Sequence, residues 1–133
     1  MNGLVALVVA LPFVLFILCC VISLSLARTR NDQLGRHFPD TLPYTWGYFL
    51  GYSGIIGGLL AAASGVVMTF AGFYRAWFPI ALAYLVIFGI ASYGVLTRRR
   101  WGWLFHIPLS LNPGLWAFNS VYANNRWREL PWR

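Results

Sequence analysis

Few side chains in this sequence commonly hold metals or move protons. They are His37, His106, Cys19, Cys20 and the three acids Asp32, Asp40 and Glu129. The two histidines stand in matching contexts, "HFP" and "HIP". A histidine pair can ligate haem or a metal, or hydrogen-bond a quinone or a headgroup. The plainer reading is a histidine bonded to backbone at an interfacial turn. No Cys or carboxylate stands at a spacing that would complete a ligand set, so no metal and no cofactor is expected. Cys19 and Cys20 are adjacent and point to different helical faces; without a CxxC pattern they read as small packing residues. Asp32 and Asp40 lie among arginines, and Glu129 sits in a basic tail. No carboxylate falls inside an apolar run to carry a proton relay. No Ser/His/Asp set or phosphate-binding loop occurs, and an enzyme is not expected.

A second polar group lies deep in an apolar stretch: His106, Ser110, Asn112, Asn119 and Ser120, with Pro108 and Pro113 among them. These residues could form a polar path within a membrane. Each proline removes a backbone donor and disfavours helical geometry at the residue before it. A helix break is therefore expected between His106 and Pro113, buried against protein or at the interface.

Small residues form the clearest pattern. Gly47, Gly51, Gly54, Gly58, Ala61 and Gly65 recur at alternating steps of four and three. Gly72 stands seven further on. A period of 3.5 places them in one stripe along one helix face. Between helices in lipid there is little hydrophobic drive, so small residues that admit close backbone approach favour association. The stripe predicts a helix partner in this chain or in another.

The elements that carry these residues follow from composition. Hydrophobic residues make up 59% of the 133-residue chain and charged residues 10%, with mean hydropathy +0.65. Uncharged runs cover 1–27, 41–74, 76–97 and 101–125. A membrane-crossing helix needs about 20 apolar residues. The chain is too short to wrap a soluble shell around several such helices. The expected fold is an all-α integral membrane protein in one domain: a four-helix transmembrane bundle of two hairpins, its last span broken by prolines. The spans are expected at about 4–27, 46–72, 78–97 and 102–123, with Arg-rich loops at about 28–43 and 98–101. The alternative is three spans plus a re-entrant or interfacial C-terminal segment. The first run lacks a basic leader and exceeds a signal-peptide core, so it reads as a retained span carrying Pro12.

The net charge of +7 is carried by arginine alone. Arg28, Arg30, Arg98, Arg99 and Arg100 sit at span ends, where lipid headgroups and the positive-inside rule place them, and nucleic acid is not an expected partner. Four spans would put Arg28, Arg30, Arg36 and Arg98–Arg100 on one side and Arg75, Arg126, Arg128 and Arg133 on the other. Three spans would leave Arg75 alone opposite all the rest. Both arrangements put the N-terminus outside and Arg98–Arg100 in the cytoplasm of a bacterial inner membrane.

The chain also matches itself. Leu26, Arg28 and Arg30 align with Leu96, Arg98 and Arg100; then His37, Pro39 and Leu42 align with His106, Pro108 and Leu111. After one gap, Pro43 and Trp46 align with Pro113 and Trp116. A duplicated hairpin is one reading; the other is that boundary segments rich in Arg, Pro and Trp resemble one another.

These features point first to a small non-catalytic accessory, assembly or regulatory subunit of a larger membrane complex. The alternative is a small homo-oligomeric transporter or channel, and a membrane immunity or defence protein is a third class. The expected partners are the lipid bilayer and another membrane protein or a second copy of the chain.

Overall fold

In the computed structural model, residues 3–70 and 76–132 are described. The expected tight connection between the second and third spans lies largely outside them, as do Gly72, Arg75 and Arg133. The described residues form five α-helices: α1 Gly3–His37, α2 Thr45–Phe70, α3 Phe78–Leu96, α4 Arg100–Leu109 and α5 Pro113–Asn125. A 3-10 turn follows at Trp127–Glu129.

Three of these helices, α1 to α3, are long and apolar enough to cross a membrane. The expected fourth span, 102–123, is not one helix. It is divided between α4 and α5, of 10 and 13 residues. At 1.5 Å per residue these reach roughly 15 and 20 Å, short of a hydrocarbon core of about 30 Å.

The break falls at Ser110–Asn112, within the interval expected. Leu111 takes a positive φ of 51° there, and the Asn112 side chain accepts from the backbone N–H of Gly114 and Leu115. Pro113 occupies the first helical position of α5, where its missing donor costs nothing. Pro108 behaves otherwise than expected. It sits inside the last turn of α4, which continues past it.

The connection expected at about 28–43 is helical as far as His37. Nothing between Leu26 and Arg36 forbids the helix, and polarity alone does not end one. Pro39 disfavours helical geometry at Phe38, and the chain leaves α1 there. α1 also passes through Pro12 as one element.

α2 packs against both α1 and α3. The seam on α1 is Cys19, Ser23 and Ala27, one residue per turn and all buried. The Cys19 thiol lies 3.8 Å from the Ser53 carbonyl of α2. The seam with α3 is antiparallel. A Cβ on Gly51 would lie 2.7 Å from Leu96 Cβ, one on Gly54 would strike the Ser92 hydroxyl, and one on Gly65 would lie 2.8 Å from the Phe78 ring. Phe13, Phe16, Ile17 and Val21 of α1 and Val86, Ile87 and Ile90 of α3 face outward, as a lipid-facing surface requires.

The repeat does not extend to matching elements. Each half has a helix, a short break after a histidine, and a helix begun near a proline. Yet α1 runs unbroken through Arg28–Arg30, whereas the chain turns at Arg98, whose φ is 59°. α2 has 26 residues and α5 has 13.

Candidate functional site

The local chemistry of 97–112 builds a helical hairpin that enters the layer of spans and comes back. α3 ends at Leu96, the left-handed Arg98 reverses the chain, and α4 starts at Arg100. α4 then runs antiparallel along α3 at close range. The Cβ position of Gly94 is 2.6 Å from Gly102 Cα, so backbone meets backbone. Further along, the His106 ring lies 4.9 Å from Phe88, and the Tyr84 hydroxyl donates to the Leu109 carbonyl. From Gly94 to Tyr84 is ten residues of α3, about 15 Å, so the tip lies that far along α3 from the turn at Arg98.

α5 returns toward the starting end. Asn119 Oδ1 accepts from Trp46 Nε1 at 2.9 Å, and Trp46 meets Phe118 edge-on at 5.2 Å. Arg126 donates through Nε and Nη2 to the Pro43 carbonyl at 3.0 and 2.8 Å, with its guanidinium 4.0 Å from the Tyr122 ring centroid. The tail closes the end. Arg98 pairs with Glu129 at 3.4 Å, and the Arg100 N–H donates to the Pro131 carbonyl at 3.1 Å. The Arg100 side chain donates to the Trp127 carbonyl and lies over the rings of Trp127 and Trp132. Both ends of the hairpin therefore lie where α1 and α3 finish and α2 begins.

Where the helices converge, the core is aromatic. Trp103 is wholly buried, and its Nε1 donates to the Tyr44 hydroxyl at 2.7 Å. That hydroxyl donates in turn to the Val95 carbonyl at 2.9 Å. Burial pushes the Tyr44 phenol well above its ordinary value, against the lowering effect of the Trp103 hydrogen bond, and keeps the donating proton in place. Tyr44 and Tyr48 are core residues. The ring of Tyr44 fills the space a side chain at position 47 would need, so Gly47 serves this ring rather than another helix.

A polar seam runs from this core toward the tip. Trp103 and Tyr122 meet across the hairpin with ring centroids 5.5 Å apart and planes tilted by 39°. One turn nearer the tip stand His106 on α4, against Phe88, and Asn119 on α5, bonded to Trp46. Both are buried, with His106 2% exposed. Neither His106 nitrogen has a hydrogen-bond partner among the described residues, nor do Asn119 Nδ2 and the Tyr122 hydroxyl. A buried polar group left unpaired costs about 1–3 kcal/mol. Arg98 Nε is likewise buried without a partner among the described residues.

The two histidines are not equivalent. His37 is exposed near the end of α1, with Nδ1 2.8 Å from the Gln33 carbonyl, whereas His106 is enclosed against Phe88. Among the described residues no group of three or more His, Cys, Asp or Glu could hold a metal ion. The polar path is divided as well. Asn112 caps α5, Ser110 donates to the Ile107 carbonyl, and Ser120 is exposed. Of the glycine stripe, Gly51, Gly54 and Gly65 meet α3, a Cβ on Gly58 would lie 4.0 Å from the Leu85 carbonyl, and Ala61 is exposed. Arg28 is exposed, Arg99 is half-buried, and Arg98 and Arg100 are engaged as above; Arg30 lines a cleft with His37.

Sequence reasoning missed Tyr44, Trp103 and Tyr122 as core residues and Arg126 and Glu129 as the lock on the tail. It also missed the Gly94–Gly102 contact. Two glycines flanking "TRRR" were the available signal, since a close reversal of two helices needs small residues on both.

No protein family, curated protein or solved structure matches this chain.

Proposed function

We propose that the protein is a non-catalytic membrane subunit whose re-entrant hairpin docks onto a partner inside the bilayer. One observation carries this reading: the tip of the hairpin is bare. Leu111 is 72% exposed, and Asn112, Pro113 and Gly114 are exposed beside it. Non-helical backbone at membrane depth is tolerated against protein or water and not against lipid. A tip at roughly half depth therefore calls for a cover, and an accessory or assembly subunit obtains it from the complex it joins.

A second reading, a small homo-oligomeric channel or transporter, draws on the same hairpin. Tips from several copies would line a water-filled path, with His106 and Asn119 behind them. For either reading we place the arginine end in the cytoplasm of a bacterial inner membrane and the N-terminus outside. The support is that all the described arginines, Arg28, Arg30, Arg36, Arg98–Arg100, Arg126 and Arg128, gather at that end.

A photoreactive amino acid at position 111, activated in native membranes, tests both. A cross-link to a different protein supports the subunit. A product of twice the 15.0 kDa chain supports the oligomer. Adducts with lipid alone would dismiss both.

A further inference from the structure

The last turns of α1 continue beyond its apolar part and are themselves patterned. Arg30, Gln33, Leu34 and His37 recur at i, i+3, i+4 and i+7 and so share one face. That face, together with Arg36 and with Tyr48 of α2, lines an open cleft of about 460 Å³. Its floor is apolar: Tyr48 is buried, and Leu34 packs on the aromatic core. Its rim is basic and carries no carboxylate.

The rim has donors to spare. Arg30 donates to Gln33 Oε1 at a long 3.5 Å, and Arg36 spends only Nε, on the Asp32 carbonyl at 3.4 Å. The salt bridge formed among the described residues is Arg98–Glu129, so both of these guanidinium groups remain unneutralised. His37 engages the Gln33 carbonyl through Nδ1, which leaves Nε2 without a partner among the described residues. Tyr48 is the fourth residue of α2, about 5 Å from the helix start. The cleft therefore lies at the level where α2 enters the membrane.

We propose that this cleft binds a phosphate ester that bears a neighbouring hydroxyl group. Two guanidinium forks match phosphate oxygens in a bidentate manner, better than point charges would. The Gln33 amide adds a donor, and His37 Nε2 accepts from the hydroxyl. The apolar floor suits the glycerol carbons. Two sources carry this chemistry: a polyol phospholipid headgroup and a soluble polyol phosphate.

Native mass spectrometry of the whole chain in mild detergent separates the sources and the alternatives. The probes are phosphatidylglycerol, phosphatidylcholine and glycerol 3-phosphate. Arg30→Gln with Arg36→Gln is compared with Arg28→Gln plus Arg128→Gln, which removes the same charge from exposed residues outside the cleft. The wild-type protein is expected to hold phosphatidylglycerol well over phosphatidylcholine. The cleft variant should lose roughly tenfold in affinity while the control variant stays within about twofold, because charge-assisted hydrogen bonds are lost only from the cleft. Saturable binding of glycerol 3-phosphate, lost in the same variant, assigns the site to a soluble ester. Equal losses in both variants would reduce the effect to general surface charge and overturn the site. So would equal retention of both lipids with no glycerol 3-phosphate binding, or no retention of any probe.

Discussion

Replacing Gly102 by alanine puts one methyl group where two helix backbones meet. The atoms it would meet are Gly94 C, Gly94 Cα and Val95 N, all backbone. Gly94 Cα lies 2.6 Å from the new carbon, against about 3.5 Å for an ordinary carbon–carbon contact. No rotamer can relieve this, so α4 must withdraw from α3 by about 1 Å. The next residue on α4 is Trp103, whose 2.7 Å hydrogen bond to Tyr44 cannot follow such a shift unaltered. Overpacking costs about 1–3 kcal/mol, and a backbone clash belongs at the upper end. Alanine recovers up to ~1 kcal/mol of helix propensity over glycine. The net loss is about 2 kcal/mol. Gly89→Ala is the control: it lies on α3, with nothing within 4 Å of its Cβ position, and should be neutral or stabilise by up to ~1 kcal/mol. Unfolding titrated with dodecyl sulfate in mild detergent, followed by tryptophan fluorescence, compares the two. Equal midpoints would refute the view that α4 is held by backbone proximity to α3.

The glycine stripe makes a graded prediction by the same method. Gly54→Ala should destabilise, since its Cβ position overlaps the Ser92 side chain, whereas Gly58→Ala, 4.0 Å from its nearest neighbour, should be tolerated; equal effects would remove the assignment of the α2–α3 seam. The re-entrant hairpin predicts that position 99 and a cysteine appended after Arg133 lie on the same membrane face, with position 2 on the other. Labelling by a membrane-impermeant maleimide in a protein free of Cys19 and Cys20 reads this directly. Label reaching the C-terminus from the same face as position 2 would restore a fourth span.

What the sequence determines here is what depends on neighbours along the chain. The three helices long and apolar enough to cross a membrane were legible as apolar runs, because a helix in lipid satisfies its own backbone. The break before Pro113 follows from an Asn that caps and a Pro that starts a helix. The arginine distribution did not choose between four spans and three, since both arrangements put Arg98–Arg100 on the same side. The stripe of small residues was legible as a pattern; which of its members meet α3 was not.

The tertiary structure decided the return of the hairpin. Prolines and polar residues at 106–113 are compatible with a kinked span, an interfacial segment or a re-entrant turn. The return of the chain rests on Gly94 against Gly102, Trp103 on Tyr44, and Arg126 reaching back 83 residues to the Pro43 carbonyl. The same contacts make His106 a buried residue while His37, in a matching sequence context, stays exposed. Burial is a property of what folds against a residue, and in this protein that partner is contributed by distant parts of the chain.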